Sequence, residues 1–461
     1  MAKSVSVVPI LDNSSSMTTN GYNFDTTIYS KYFVNLLRKS DNFAVVKFDY
    51  EGEILFPWSN HLVEVDQGKS QTAAAAKEIQ KDMTYDQSGF ATNISDGLQK
   101  AKALLDPDSS GNNRACVLLS DGWANTGGDP LSNLPGYPVM TIGMGQESDI
   151  DKLEAIATES DGEYFAVTAS GDLRKVYTKI TTLSAMAVLI KNDYTNVDVN
   201  DTTDVPLIIP TTEGLVQIAA VWGDPSVQYT SGNLGNNQVR VTMFDPNYNN
   251  PGFQPKVIDS GYVIFEEAGL QPGEWTMEYE FATSGNNALT SLSACVHYPS
   301  SNNGQSLKVA LAAPQRVALG QPLTLSISAI ENGVPVTQLQ AKAVVSRPTI
   351  SVQNALEKYA AELRSVQPHA ADLARGMPEP RARLSALRAK LLKEQNLDIL
   401  AYSHSAVQFS VSGDGLTATI PDVMQAGAYN IDVQIIGKSP IEGSFQRAEM
   451  ATIVVYDPAA S

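Results

Sequence analysis

Asp12, Ser14 and Ser16 stand in the pattern Asp-x-Ser-x-Ser, where the apolar run of residues 5–11 gives way to polar residues. If that run is a strand, the turn at its carboxyl end lets the Ser14 and Ser16 hydroxyls converge with the Asp12 carboxylate. Alone the pattern is weak, because serine-rich loops are common. Two further pieces sharpen it. Thr92 lies in Gly89-Phe90-Ala91-Thr92-Asn93-Ile94, ahead of a helix-like segment containing Leu98 and Ala101. Asp121 follows the apolar run Cys116-Val117-Leu118-Leu119 in Ser120-Asp121-Gly122. Open α/β sheets bind ligands at the carboxyl ends of their strands, where the strand order reverses, and all three pieces fall there. Hydroxyls, carboxylates and water suit a hard divalent ion, Mg²⁺ before Ca²⁺ or Mn²⁺. Three neutral hydroxyls and two carboxylates leave such an ion electrophilic, with a coordination position for an outside ligand. The competing reading is that these side chains merely cap turns and helix ends.

The elements that must position these groups can be read from periodicity. Residues 1–186 alternate short apolar runs (43–48, 115–119, 139–142 and 164–167) with amphipathic stripes such as Tyr29, Phe33, Leu36 and Leu37. The runs suit strands buried on both faces; the stripes suit helices. Together they predict a doubly wound, Rossmann-like α/β domain with a parallel sheet. Pro9 cannot donate a ladder hydrogen bond, so a local irregularity is expected in the first strand. Ser170 is the expected N-cap of the closing helix, which carries Leu173, Val176, Ile180 and Leu183.

From residue 187 alternation replaces helical periodicity. Trp275, Met277, Tyr279 and Phe281 face one way and Thr276, Glu278 and Glu280 the other, as in a half-buried antiparallel strand. Residues 187–301 are expected to be a β-sandwich, and 302–461, after the polar stretch 300–305, a second sandwich of immunoglobulin or fibronectin type III kind. The second is interrupted by residues 353–398, whose stripes (Leu356, Tyr359, Leu363, Val366; then Leu384, Leu387, Leu391) are broken by Gly376-Met377-Pro378-Glu379-Pro380. An inserted αα-hairpin is expected there. The insert holds eight basic and six acidic residues in a chain of net charge −18. It is a candidate docking element for a partner or for self-assembly, and a solvated decoration of mixed charge fits equally well.

Residues 1–186 resemble the von Willebrand factor A domain family and its metal-ion-dependent adhesion site. That site's Asp-x-Ser-x-Ser, Thr and Asp map onto Asp12, Ser14, Ser16, Thr92 and Asp121, so all five positions are filled. Ser15 replaces the glycine of many members, at a position that is not a ligand. The resemblance implies metal-dependent binding of a protein that presents an acidic residue. It also implies that Thr92 coordinates chiefly in the liganded state. An A domain followed by two sandwiches, with Ala220-Val221-Trp222-Gly223-Asp224-Pro225, Phe244-Asp245-Pro246 and Pro272-Gly273-Glu274-Trp275, further resembles the calcium-activated chloride channel regulator family. The His-Glu-x-x-His protease motif of that family is not in the sequence, so protease activity is not carried over.

Composition narrows the classes. The acidic balance argues against nonspecific nucleic-acid binding, which needs clustered Lys and Arg. Cys116 and Cys295 are expected to be reduced and buried, and His297 and His404 to be packing residues. The loop 106–113 and Asp245-Pro246-Asn247 read as turns rather than Ca²⁺ sites. No targeting signal or membrane span is expected, which points to the cytoplasm unless a signal peptide has been removed. No nucleophile and base pair suggests an enzyme. A non-enzymatic, metal-dependent binding module leads. The alternatives are a scaffold or adaptor working through the insert and sandwiches, or an accessory of an AAA ATPase machine.

Overall fold

The computed structural model describes residues 2–85, 91–211, 213–285, 287–300, 307–374, 376–421 and 423–459. Gly89 and Phe90 of the Thr92 segment and most of the polar stretch 300–305 lie outside the described residues. The first unit is an α/β sheet of strands β1 (Val5–Asp12), β2 (Val45–Phe48), β3 (Gly52–Phe56), β4 (Asn113–Ser120), β5 (Val139–Met144) and β6 (Tyr164–Val167), in the order β3-β2-β1-β4-β5-β6. All neighbours are parallel except the β2–β3 pair. The two-residue strands Asn42–Phe43 and Val63–Glu64 extend it.

Alternation along β1 explains the layering. Val5, Val7 and Leu11 join the core shared with α2 (Asn23–Leu36), α3 (Ser70–Asp82) and α6 (Leu173–Ala185). Val8 and Ile10 face α4 (Ile94–Leu105) and α5 (Ile150–Glu159) on the other side. The irregularity expected at Pro9 is present on one side of β1 alone. Register with β4 is continuous from Val5 to Leu11. On the other side, pairing with Asn42–Phe43 stops at Val7 and resumes with β2 at Ile10. The closing helix α6 starts at Leu173, after a 3₁₀ turn over Ser170–Asp172. The N-cap therefore falls on Asp172, not on Ser170 as expected. The Asp172 carboxylate accepts instead from Thr168 Oγ1 at 2.7 Å and the Ala169 N–H at 3.2 Å.

Two sheets follow, built on strands Thr202–Ile209, Gly273–Ala282 and Gln238–Phe244, and on Tyr262–Ala268, Gly214–Val221, Leu289–Pro299 and Val188–Val197. Trp275, Met277, Tyr279 and Phe281 all point into the core between them, as alternation requires. A second pair of sheets is built on Leu307–Ala312, Leu323–Glu331 and Gly415–Ile420, and on Gly443–Tyr456, Gly427–Ser439, Leu339–Pro348 and Tyr402–Gln408. The architecture is thus an α/β domain followed by β-sandwiches.

The insert leaves and re-enters this last sheet through adjacent antiparallel strands, paired from Lys342↔Gln408 to Pro348↔Tyr402. Its ends are therefore pinned together. The expected αα-hairpin is instead four helices: α7 (Val352–Lys358), α8 (Ala360–Leu363), α9 (Ala370–Ala374) and α10 (Glu379–Gln395). Pro368 restricts Gln367 to extended backbone and removes an N–H, which separates α9 from α8. The expected stripes do meet: Leu363, Leu384 and Leu387 form a small core with Ala355, Ile399 and Leu400.

Helix α6 is buried over nearly its whole length. It packs in the core shared by the α/β domain and the first sandwich, and its lysines reach the second: Lys175 pairs with Asp432 at 2.9 Å and Lys179 with Glu449 at 2.7 Å. The edge strand β6 is covered by the same sandwich, with Ala166 N–H on Thr452 Oγ1 at 3.2 Å and Asn430 Nδ2 on Ala166 O at 2.6 Å, which blunts an open edge. With α6 packed against the first sandwich and ion-paired to the second, the units are expected to move as one. Small-angle scattering in Mg²⁺ and in chelator should give superimposable profiles, and a changed maximum dimension would reveal a hinge. Among the described residues no helix is long and apolar enough to cross a membrane.

Candidate metal centre

Asp12 closes β1 and is fully buried. Its Oδ1 accepts the Ser14 N–H at 2.9 Å, forming an Asx turn, and its Oδ2 accepts Ser120 Oγ at 2.6 Å from the end of β4. The turn delivers the chain into helix α1 (Ser15–Thr19), with Ser14 at its N-cap. The usual duty of an N-cap serine is to accept a backbone N–H of the first turn. Ser14 makes no such bond; its hydroxyl lies 2.8 Å from Ser16 Oγ. Both hydroxyls are buried, and Ser14 is thus spent on Ser16 rather than on the helix.

Asp121 follows β4 directly and is also buried. Its carbonyl accepts the Asp149 N–H at 2.8 Å, fixing the loop to the start of α5. Gly122 follows at φ +82°, where a Cβ would stand 3.0 Å from Leu153 Cγ and 3.1 Å from the Asp149 backbone. The turn after Asp121 therefore needs glycine for both conformation and space. Thr92 lies just before α4. Its N–H donates to Asn125 Oδ1 at 2.8 Å and its carbonyl accepts the Asn125 N–H at 3.2 Å. Its hydroxyl is buried without a hydrogen-bond partner. Asn93, the next residue, caps α4 by accepting the Asp96 N–H at 3.0 Å.

The structure thus gathers Asp12, Ser14, Ser16 and Asp121 at the carboxyl ends of β1 and β4, the strands flanking the switch point, with Thr92 on the adjoining loop. Burial first, and then the like charge of Asp121, push the Asp12 carboxyl up to about 7. Two buried carboxylates, a pair of bonded hydroxyls and a partnerless threonine hydroxyl fit a hard divalent cation. Such an ion would supply the missing positive charge, and Asp12, Ser14, Ser16, Thr92 and Asp121 are the residues that would hold it. Among the described residues no cluster of three or more His, Cys, Asp or Glu side chains could hold a metal; this donor set relies on hydroxyls instead.

Sequence reasoning missed the supports. Ser120 holds Asp12, and Asn125 holds Thr92. Ser120 was visible as the residue before Asp121, but a serine ending a strand carries no distinct signal. Asn125 also reaches outward: its Nδ2 donates to Ala374 O of α9 at 2.7 Å. The helical insert therefore lies on this face of the α/β domain. Arg388 of α10 pairs with Glu147 at 2.7 Å and donates to Tyr22 Oη at 3.0 Å, while two of its nitrogens meet Asp398, each at 2.8 Å. Ser385 Oγ donates to Asn20 Oδ1 at 2.9 Å, and the Arg381 guanidinium stands over the Trp123 ring at 5.6 Å.

The weaker candidates behave as turns and packing groups. Asp108 accepts from Ser110 N at 3.1 Å and Oγ at 2.9 Å, and Asp245 accepts from Asn247 and Asn249 N–H groups, both at 2.8 Å. Cys116 and Cys295 are buried free thiols, pushed up by burial. His297 is buried, and His404 Nδ1 lies 2.7 Å from Ser346 Oγ.

Residues 6–179 match the family model of the von Willebrand factor type A domain, so the N-terminal unit is an A domain. No curated protein matches the chain. Among solved structures, it is similar to a von Willebrand factor type A protein from Catenulispora acidiphila, at 16% identity and a TM-score of 0.36, over 72% of this chain and 64% of that one. It is also similar to proximal thread matrix protein 1 from the mussel byssus, at 20% identity and a TM-score of 0.33, over 45% of this chain and 50% of that one. A third likeness is to a DUF4785 family protein from Legionella pneumophila, at 7% identity and a TM-score of 0.32, over 58% of this chain and 66% of that one. The chain thus spans less than two thirds of the length of each of these structures.

Proposed function

We propose that the A domain is a non-enzymatic, metal-dependent protein-binding module. Asp12, Ser14, Ser16, Thr92 and Asp121 hold a Mg²⁺-like ion, and an acidic side chain completes its coordination. The observation that carries this reading is the gathered donor set: an N-cap serine that bonds Ser16 instead of capping, a buried threonine hydroxyl without a partner, and an Asp12 carboxyl pushed up by burial and by Asp121. A cation resolves all three, whereas caps and turns leave them unexplained. The net charge of −18 repels acidic partners at long range, so a partner must match the site in shape to reach the ion.

Isothermal titration with Mg²⁺, and affinity capture from native lysate with and without chelator, test this. Asp121→Ala removes a charge that holds the ion and Ser14→Ala removes an oxygen donor. Each is expected to abolish metal-dependent capture while leaving circular dichroism nearly unchanged. Thr92→Ala should weaken capture more than metal binding. Equal capture in excess chelator, or by Asp121→Ala, would overturn the adhesion-site reading and assign the contacts to the insert and sandwiches, as in a scaffold.

A further inference from the structure

An outside carboxylate must reach the ion, yet the five candidate donors are closed off: the most exposed of them, Ser14, keeps 3% of its surface. The insert lies across the loops around them. Arg381, Ser385 and Arg388, spaced four and three residues apart, share one face of α10. That face meets Trp123 just after Asp121, Asn20 at the end of α1, and Tyr22 together with Glu147. On either side of α10, Ala374 O accepts from Asn125, which holds the Thr92 N–H, and Leu400 O accepts from Gln146 Nε2. Burial first, and then Glu147, raise the Tyr22 phenol, and the Asp121 charge adds to them, which puts the Arg388 anchor within electrostatic reach of the donor set.

The way this cover is attached suits release. The apolar residues of the insert pack among themselves, in the core of Ala355, Leu363, Leu384, Leu387, Ile399 and Leu400. Among the described residues, none of the insert joins either core of the A domain. The ties named above are instead hydrogen bonds, the Arg388–Glu147 ion pair and the Arg381–Trp123 contact. Water can replace such partners on separation at a small net cost per bond, whereas parting a shared core would expose apolar area. The ends of the insert stay together through the ladder that closes at Pro348↔Tyr402 and the Thr349 N–H on Ala401 O at 3.0 Å. The helices can therefore swing on that base without opening the sandwich. We propose that the insert is an autoinhibitory latch: α9 and α10 hold the site face shut, and an external acidic partner binds only the form in which they have swung away. This rests on the metal-binding reading above and adds its regulation. Linkage then makes the effect mutual: loosening the latch raises affinity for an outside carboxylate, and that carboxylate loosens the latch.

The test uses the full chain loaded with Mn²⁺, with N-acetylglutamate as the carboxylate probe. Arg388→Ala cuts the latch from the insert side and Glu147→Gln from the A-domain side, so the result does not hang on the folding of one variant. Binding of the probe is read by water-proton relaxation, as loss of water from Mn²⁺. Both variants are expected to bind it about 5–150-fold more tightly than the wild-type chain, the usual range of coupling between two sites, and to lose Mn²⁺ to chelator faster. Arg388→Lys, which keeps the charge but not the planar fork, should fall between. In hydrogen exchange, saturating probe should speed exchange of the α10 amides in the wild-type chain. Probe affinity and Mn²⁺ loss equal to wild type in both variants would overturn the latch and leave the metal site standing. Absence of Mn²⁺ binding by the wild-type chain and by both variants would overturn the site reading, and the latch with it.

Discussion

Arg388→Ala is expected to loosen the insert from the A domain at a cost of about 3–5 kcal/mol, the usual loss when one member of a buried ion-pair network is removed. Arg388 is a hub. It reaches Glu147 at 2.7 Å, Asp398 at 2.8 Å and Tyr22 Oη at 3.0 Å, with its own side chain 12% exposed. Removing it leaves Glu147, 5% exposed, without its ion-pair partner, and frees the loop that Asp398 organises by accepting the Leu400 N–H at 2.9 Å. Hydrogen exchange should show faster exchange throughout α10, and denaturant unfolding should gain an early phase for the insert. Unchanged protection of residues 379–395 would show that apolar packing alone holds it.

The same hub sets an acid limit. Burial works to raise the Asp398 carboxyl, but the Arg388 hydrogen bonds and charge, with the Leu400 N–H, outweigh it and hold it below its ordinary 3.8. A carboxyl depressed by folding stabilises above its unfolded value and loses that contribution as pH falls through the lower folded one. This anchor should therefore persist at ordinary pH and fail only in acid below pH 3.8.

The divide between legible and illegible follows the range of the interactions. The five candidate donors are legible because their signals are local: Asp-x-Ser-x-Ser is one turn, Asp121 directly follows a strand, and Thr92 precedes a helix. The strands are legible because burial on both faces leaves continuous apolar runs. Helix α2 was legible as a stripe, but its burial from Thr26 to Leu36 was not. Its second face meets the first sandwich through Asn35 and Tyr262, 2.8 Å apart and 227 residues apart in sequence. The same holds for the insert. Its apolar stripes predicted its internal core, yet nothing local says that Arg388 pairs with Glu147, or that Asp372 is buried while Leu373 and Ala374 are exposed. Pro368 separates α9 from α8, one of the breaks by which the insert departs from the expected hairpin.

A stability measurement on the metal-free protein gives the sharpest check on the site, because a binding site and a capping motif predict opposite signs. In chelator, the unfolded chain releases the Asp12 proton near 3.8, whereas burial and Asp121 hold it in the folded state until about 7. The folded state then binds more protons across that window, so stability falls as pH rises through it. Above it, Asp12 and Asp121 are two buried like charges. Asp121→Asn, which keeps the shape and removes one charge, is expected to stabilise the metal-free protein at pH 8 by about 1–2 kcal/mol, one pK unit being about 1.4 kcal/mol. Mg²⁺ should reverse the order. At one hundred times its dissociation constant it adds about 2.7 kcal/mol to the wild-type chain. Asp121→Asn should gain almost none, and the loss of stability with rising pH should disappear from the wild-type chain in Mg²⁺. If the two carboxylates served only as caps, Asp121→Asn would be neutral or destabilising in chelator, and Mg²⁺ would leave both proteins unchanged. A residue whose removal stabilises the fold while abolishing its response to the ion is there for the ion.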